Sequence, residues 1–596
     1  MNSDFSTYFT RDRIIRLLCK YRLKAAKKKH TVQLIRDISC SEKSLKDLKK
    51  SNNNCPQELA ELLPPRRQWI RPNKKDRNSN TFQDSQKLYE YSIIRKIRST
   101  QNKVNEKKIS PPQWLTNLNQ FIAKIENRSK NPDGYEIEQP IIKPIKKENK
   151  KSCTECRPIS LYNLEDRVLI SLTAKYLTEL FDEQFLDCSY AFRAVKKGAK
   201  ARSHHDTILK IADHLKKSEG NELYVAECDI MKFFDCINHE MTSDLLVKLA
   251  QENKIEIEKS AIIIFKQYLS SYSFSKDVFP KNTTDYFDNC FIPGGHFAWK
   301  KDLLKKRYYE NIETGENLEL ANIGVPQGGA ISCFISNLVM HEVDRVITNT
   351  FDSDLLYLRF CDDMVILHSS REKCNQYLEK YKLALEDLKL LVHEPKVIES
   401  YDSEFWSNDS KSKAPYKWGN NNVDEANVPW LSFVGYQIRY DGAIRLRRKS
   451  MTKELEKQQE ECRKVARSIL VKDFDGRQID INQTSKKSKR QQLFALENRL
   501  ISMSVGRILL YKLNANQTLC WTNGFKELKN NSVLRRQLRM LDSNRNRQLY
   551  ILKKKLNLLK KTTNSGDEEI EGRKILFGAP YSYFGFLNKS ARRIQI

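Results

Sequence analysis

The chain has 596 residues, more than one hydrophobic core usually serves, so roughly two to four domains are expected. Its 105 lysines and arginines against 75 aspartates and glutamates leave a net charge of +30, which points to a polyanionic partner and best to nucleic acid. No run of about 18 apolar residues and no charged segment leading into an apolar signal core occur; with 14 cysteines, mostly single within apolar stretches, the chain reads as soluble, intracellular and reduced, with no membrane partner.

In chain order, "TRDRIIRLLCKYRLKAAKKKH" reads as a basic amphipathic helix with Ile14, Ile15, Leu18 and Tyr21 near one face, suited to phosphates or simply solvated. Residues 43–82 are polar and basic and read as a loop or linker. Helical patterns dominate 85–215, interrupted by "EQPIIKPIKKENKKSCTECRPISLYN", two short strands joined by a lysine-rich loop. Cys153 and Cys156 in it form a C-x-x-C with no second pair or nearby histidine, a weak zinc signal. "ELYVAECDIMKFFDCINHEM" is a strand ending at Asp229, then a turn and a helix from near Asp235. "IGVPQGGAISCFISNLVMHEVD" is a glycine-rich turn entering a helix at about Ala330, with Ser332, Ser336 and Asn337 on its early turns. "LLYLRFCDDMVILHSS" predicts a hairpin carrying Asp362 and Asp363 at its tip, and "GYQIRYDGAIRLRR" a hairpin turning at Asp441 and Gly442. Beyond about 445 a helical period runs through Met451, Leu455, Cys462, Val465, Ala466 and Ile469, and strand signals fade.

The paired acids need an explanation. Two unit charges about 4 Å apart repel by roughly 4 kcal/mol at an effective dielectric of ~20. A solvated Asp-Asp turn would tolerate this; a buried pair needs a cation or a proton. A third acid, Asp229, at the end of a neighbouring strand would complete the carboxylates of a two-metal phosphoryl-transfer site.

The order of segments resembles a prokaryotic reverse transcriptase, of the group II intron-like lineage and its defence-associated bacterial relatives. "CRPISLYNLEDRVL" and "CSYAFRAVKKGAKA" are similar to the fingers motifs, and "CDIMKFFDCINHE" to the palm motif with the first catalytic Asp. "VPQGGAISCFISN" is similar to the motif under the nascent base pair, "FCDD" to the paired-Asp motif, "HEPKVI" to the lysine motif, and "LSFVGYQI" to the primer grip. The resemblance covers roughly 135–445. It implies an α+β right-hand polymerase, with fingers and a palm built on an antiparallel sheet, followed by a mostly α-helical C-terminal thumb or extension. The expected divisions are a basic N-terminal extension (1–84), fingers and the start of the palm (85–222), the palm with catalytic site and primer grip (223–445), and the helical thumb (446–596).

Position by position, the resemblance implies that Asp229, Asp362 and Asp363 surround two Mg²⁺ ions, with Mn²⁺ as a substitute and the Ile230 carbonyl as a further ligand. Phe234 falls at the sugar gate, or is core packing. Gln327 and Gly328 lie against the incoming nucleotide or template. Arg157 and Lys151 hold the triphosphate, though Lys151 sits in a lysine run that also suits a solvated charge. Lys396 protonates departing pyrophosphate, or is a surface lysine. Phe433, Val434, Gly435 and Tyr436 form the primer grip. Two departures stand out: Phe360 where tyrosine is usual, and Cys333 where proline is common.

The implied function is RNA-directed DNA synthesis with an RNA template or non-coding RNA, a DNA product and dNTPs. It is placed in a bacterial cytoplasm and in antiphage defence, templated or protein-primed, alone or with a homo-oligomeric or protein partner. A group II intron maturase or RNA scaffold, and an RNA-directed RNA polymerase, are the alternatives.

Overall fold

The computed structural model describes residues 4–39, 57–73, 85–148, 153–195, 202–218, 220–300, 302–305, 322–397, 401, 411–421, 427–469, 486–505, 525, 527–528, 531–556, 558 and 581–582. Two compact units form: one of Met1–Ile14, Phe121–Val434 and Ile438–Gly442, the other of Ile15–Gln120, Gly435–Gln437 and Ala443–Ile596. The architecture is α+β, with mainly antiparallel sheets in the first unit and helices dominating the described C-terminal region.

Among the described residues four helices come first: α1 (Arg11–Ser39), α2 (Gln57–Leu62), α3 (Ser85–Asn105) and α4 (Gln113–Lys130). The apolar stripe of α1 is buried at Ile14, Ile15, Leu18 and Tyr21, while Arg16, Lys20 and Lys24 are exposed, so the helix packs by one face. Helix α2 lies inside the stretch read as linker, because Leu59, Leu62 and the following Leu63 find burial there. A spacing of three to four between leucines is enough for one helical turn, too short to stand out against charged flanks.

The lysine-rich insert forms β1 (Ile141–Lys146) and β2 (Glu155–Leu161), paired antiparallel from Ile141 opposite Leu161 to Lys146 opposite Cys156. Their alternation turns Ile142 and Cys156 into an apolar cluster with Tyr272, Phe274, Phe287 and Phe297. A buried carboxylate fixes the approach to β1. Asn163 caps α5 (Leu164–Phe181), and Asp166 in its first turn accepts from Arg128 Nη2 at 2.6 Å and from the Glu138 amide at 3.0 Å. After α6 (His204–Lys217) comes the central strand β3 (Tyr224–Cys228), then β4 (Ile230–Met231), α7 (Phe233–Cys236), α8 (His239–Glu252), α9 (Lys259–Ser270), α10 (Thr284–Asn289) and β5 (His296–Phe297).

Helix α11 (Ala330–Thr348) begins at the residue expected from sequence, and the hairpin follows as β6 (Leu356–Phe360) and β7 (Asp363–His368). Helix α12 (Arg371–Asp387), β8 (Leu391–Val392) and β9 (Lys413–Lys417) complete the sheet region, in which the strand order is β6-β7-β3-β9. Helix α12 packs across β3, β7 and β9, which accounts for the near-continuous apolar run of β7. Strands β10 (Trp430–Phe433), β11 (Tyr436–Arg439) and β12 (Ile444–Leu446) follow, with Gly442 at φ 81° making the expected turn.

In the second unit, α13 (Arg448–Ile469), α14 (Lys486–Val505) and α15 (Ser532–Lys555) share a core. Cys462, Val465 and Ala466 meet Leu496, Leu500, Leu549, Leu552 and Leu556 there. Met451 is buried as well, Leu455 is half-buried, and the Ile469 side chain lies outside the described residues.

Candidate active site

Strand β3 delivers Asp229. It pairs antiparallel with β7, ending with Cys228 opposite Met364, so Asp229 leaves the ladder beside the tip of the β6–β7 hairpin. Phe360 pairs with Asp363, which makes the tip two residues long, Cys361 and Asp362, with Cys361 at φ 64°. Asp362 is half-buried and Asp363 exposed. Burial raises the Asp362 carboxyl above its usual range, the negative charge of Asp229 adds to this, and Arg157 opposes it. Asp229, Asp362 and Arg157 therefore share one electrostatic site.

A buried network aims the hairpin. Arg359 and Asp344 are both buried and bond side by side, Nε to Oδ1 at 2.8 Å and Nη2 to Oδ2 at 2.6 Å, while Arg359 Nη1 donates to the Cys361 carbonyl at 3.0 Å. Tyr357 and Ser189 close the set, the tyrosine hydroxyl donating to Asp344 at 2.8 Å and Arg359 Nη2 donating to the serine hydroxyl at 2.9 Å. Sequence reasoning passed over Arg359, although an arginine in an otherwise apolar strand signals a buried partner.

On the other side, β9 is clamped to β3 by Lys413 and Tyr416, each 2.7 Å from the Glu227 carboxylate. This sets Ser412, whose hydroxyl accepts from the Asp229 amide at 2.9 Å, and Lys411, whose Nζ lies 3.3 Å from Asp229 Oδ2. The His393 amide donates to the Asp229 carbonyl at 3.0 Å. Burial, and then the Lys411 charge, hold the His393 imidazole below its usual value. A lysine ammonium only donates, so His393 Nε2, 3.1 Å from Lys411 Nζ, accepts from it. His393, Lys411 and Ser412 were missed in sequence. His393 lies in the quoted "HEPKVI", whereas Lys411 and Ser412 sit in a polar stretch without period.

Phe234 is half-buried, its ring edge-on to Phe233 at 5.2 Å, and its carbonyl accepts from Val325 at 2.7 Å. The glycine-rich turn is strapped down on this side. Gly324 has φ 89°, and a Cβ there would lie 2.7 Å from Phe274 Cβ; a Cβ on Gly329 would meet the Tyr268 hydroxyl at 1.9 Å. Gln327 is half-buried and Gly328 exposed, and the Gln327 carbonyl accepts from the Ser160 amide of β2 at 3.0 Å. Arg157 is on the exposed face of β2, opposite Ile145. Glu155, on the same strand, bonds Lys147 at 2.6 Å and Lys232, which hold its carboxyl down to about 2 against the opposing effect of burial.

The remaining residues are placed less directly. Ile230 is buried opposite Val392. Lys396 is exposed on a strand-like stretch whose amide donates to the Ser412 carbonyl at 3.2 Å. Phe433 is buried in the first unit, and Val434 takes φ 39°, a conformation β-branched residues avoid. Gly435 and Tyr436 belong to the second unit, where the Tyr436 ring stands edge-on to Phe525 at 5.4 Å. Lys151 lies outside the described residues. Phe360 is half-buried, edge-on to His204 at 6.0 Å, and Cys333 sits in the unbroken first turn of α11. Among the described residues no three His, Cys, Asp or Glu side chains form a metal cage. An ion held by Asp229 and Asp362 would take its further ligands from oxygens of Asp363, backbone, water or substrate, a hard donor set that fits Mg²⁺. No described helix is long and apolar enough to cross a membrane.

Residues 145–418 match the family model described as reverse transcriptase (RNA-dependent DNA polymerase). A curated relative, telomerase reverse transcriptase of Oryza sativa subsp. japonica, is 23% identical over 190 residues, 27% of this chain and 15% of the relative, so the chain spans a minor part of that protein's length. Among solved structures, apo telomerase from Candida Tropicalis aligns over 82% of this chain and 72% of its own at 12% identity and TM-score 0.33. The telomerase of the same species with the TWJ fragment of telomeric RNA aligns over 76% and 64%, at 12% identity and TM-score 0.33. Asp229, Asp362 and Asp363 all fall within the matched segment, and residues 145–418 of this chain are a reverse transcriptase domain, of the RNA-directed DNA polymerase class.

Proposed function

We propose that this protein copies RNA into DNA by two-metal nucleotidyl transfer at Asp229, Asp362 and Asp363. The observation that carries the reading is the convergence of Asp229 and Asp362, delivered by β3 and the hairpin tip, within the reverse transcriptase domain. Bound Mg²⁺, or Mn²⁺, supplies the acidity that activates a primer 3′-hydroxyl and the charge that stabilises leaving pyrophosphate. Asp229 and Asp362 offer ligand oxygens, with Asp363 and the Ile230 carbonyl completing the set. Arg157, with Lys151, receives the triphosphate. Phe234 supports the sugar, Gln327 and Gly328 line the base pair, Lys396 gives a proton to pyrophosphate, and Phe433–Tyr436 hold the primer. The fingers, palm and thumb divisions drawn from sequence belong to this reading.

The test is Asp362→Ala with Asp363→Ala. Mg²⁺-dependent dNTP incorporation on a primed RNA is expected to vanish while the circular dichroism spectrum stays that of the wild type, because removing a repulsive pair costs the fold little. Polymerisation by the double variant would refute the site.

Two settings follow. The motif resemblance favours antiphage defence in a bacterial cytoplasm, with a non-coding RNA or protein-primed synthesis. The plant relative, a telomerase reverse transcriptase, favours a telomerase-like reverse transcription instead. Sequencing the copurifying nucleic acid separates them, and plaque counts that are equal with active and inactive protein across a phage panel would remove the first.

A further inference from the structure

Asp235 is separate from the three carboxylates proposed to hold the metal ions. It lies in α7, six residues after Asp229, and is only 3% exposed. Its carboxylate Oδ1 accepts from Gln327 Nε2 at 2.8 Å. Burial raises the carboxyl from 3.8 to about 6, against the Gln327 hydrogen bond and the charges of Lys232, Lys147 and Arg157, which lower it. A carboxyl raised on folding lends no stability when ionised. Its cost is absent below 3.8, grows through the interval and is complete above about 6. At neutral pH the fold therefore carries the ionised Asp235 at a cost.

An ionised carboxylate has acceptors only. Gln327 must therefore turn its NH₂ group inward, which leaves its carboxamide oxygen Oε1 outward. The Gln327 main chain is pinned separately, through its carbonyl, to the Ser160 amide of β2 at 3.0 Å. The half-buried residue is thus anchored at its side-chain nitrogen and at its main-chain carbonyl.

We infer that Asp235 is a positioning residue that sets the polarity of the nucleotide pocket, holding Gln327 so that Oε1 meets a hydroxyl or amino donor of the incoming nucleotide or its template partner. This rests on the reading of Gln327 as a pocket residue. Asp235 itself touches no substrate; it acts through Gln327.

The experiment uses the full chain and single-nucleotide incorporation, with KM for dNTP and kcat measured for Gln327→Ala, Asp235→Leu, Asp235→Asn and the double variant Gln327→Ala/Asp235→Leu. Thermal unfolding is followed for each. Gln327→Ala and Asp235→Leu should each raise KM about tenfold, the worth of one hydrogen bond, with kcat changed less. Asp235→Asn keeps an acceptor and should fall between them and wild type. The double variant should be no worse than Gln327→Ala alone, since the two act as one unit. Both Asp235 variants should unfold at or above the wild-type temperature. Multiplicative KM effects, an unchanged KM in Asp235→Leu, or a lower unfolding temperature in both Asp235 variants would overturn the inference and leave Asp235 a structural residue. A wild-type KM in Gln327→Ala would remove Gln327 from the pocket and the inference with it, while the carboxylate assignment is judged separately by Asp362→Ala/Asp363→Ala.

Discussion

Under the proposed function, Phe234 is the residue assigned to discriminate between sugars. Half-buried and in an edge contact with Phe233, it packs on one side and keeps some exposed surface, so the sugar-gate and packing roles are compatible. In the proposed role the ring occupies the space a 2′-hydroxyl needs. Phe234→Val should raise the rNTP/dNTP ratio of kcat/KM by about tenfold or more, with a lower absolute rate for dNTP because the smaller side chain leaves a gap. The ratio measured on one primer–template checks this, and an unchanged ratio leaves Phe234 as packing alone. Among the other candidates, the positions of the acids could be read because motif spacing ties them to strand ends. Asp235 is quoted in the same motif, yet its role depends on Gln327, 92 positions later. Lys411 reaches Asp229 only because β9 returns beside β3.

The β6–β7 hairpin is the element on which the site depends, and its aim is set from behind. Arg359 and Asp344 form a buried pair between strand and helix α11, and Arg359 also grips the Cys361 carbonyl next to Asp362. Asp344→Ala would strand a buried guanidinium, so the unfolding free energy should drop by about 3–5 kcal/mol, measured by urea denaturation. Incorporation should fall too under conditions where the variant is still folded, because the tip loses its anchor. A loss below about 1 kcal/mol would mean the pair is solvated and the hairpin is held by its ladder alone. The hairpin itself was legible from two apolar runs around a turn-prone pair. Its tip came out one residue earlier than the paired acids implied, because Cys361 takes the left-handed turn position and Asp363 already begins β7.

For the whole molecule, net charge is the property most easily connected to a partner. Helix α15 concentrates it: Arg536, Arg539, Arg547 and Lys554 are exposed along its length, while its one acid, Asp542, is buried and accepts from the Tyr581 and Ser582 amides at 2.8 and 2.9 Å. Cations spaced three, eight and seven residues apart return to one side of an α-helix. We expect this stripe to contact phosphates. Changing all four to alanine should flatten the slope of log affinity against log salt by up to about 3–4, since each lost phosphate contact removes ~0.7–0.9 from the slope. Filter binding or fluorescence anisotropy at several salt concentrations measures this, and an unaltered slope would leave the helix an internal support of the second unit.

Composition, strand alternation and motif order were sufficient for the α+β class, the helical C-terminal region, the paired-acid hairpin and the reverse transcriptase domain, because each is encoded by residues close in sequence. The tertiary structure decided what depends on distant segments. It joined Ile15–Gln120 with Ala443–Ile596 in one unit, buried the α1 stripe, and brought Lys411, Ser412 and His393 to Asp229 and Gln327 to Asp235. Periodicity reports which face of a segment is apolar but not which segment covers it. A polar side chain in a stretch without period gains its meaning only from the partner that the fold sets beside it.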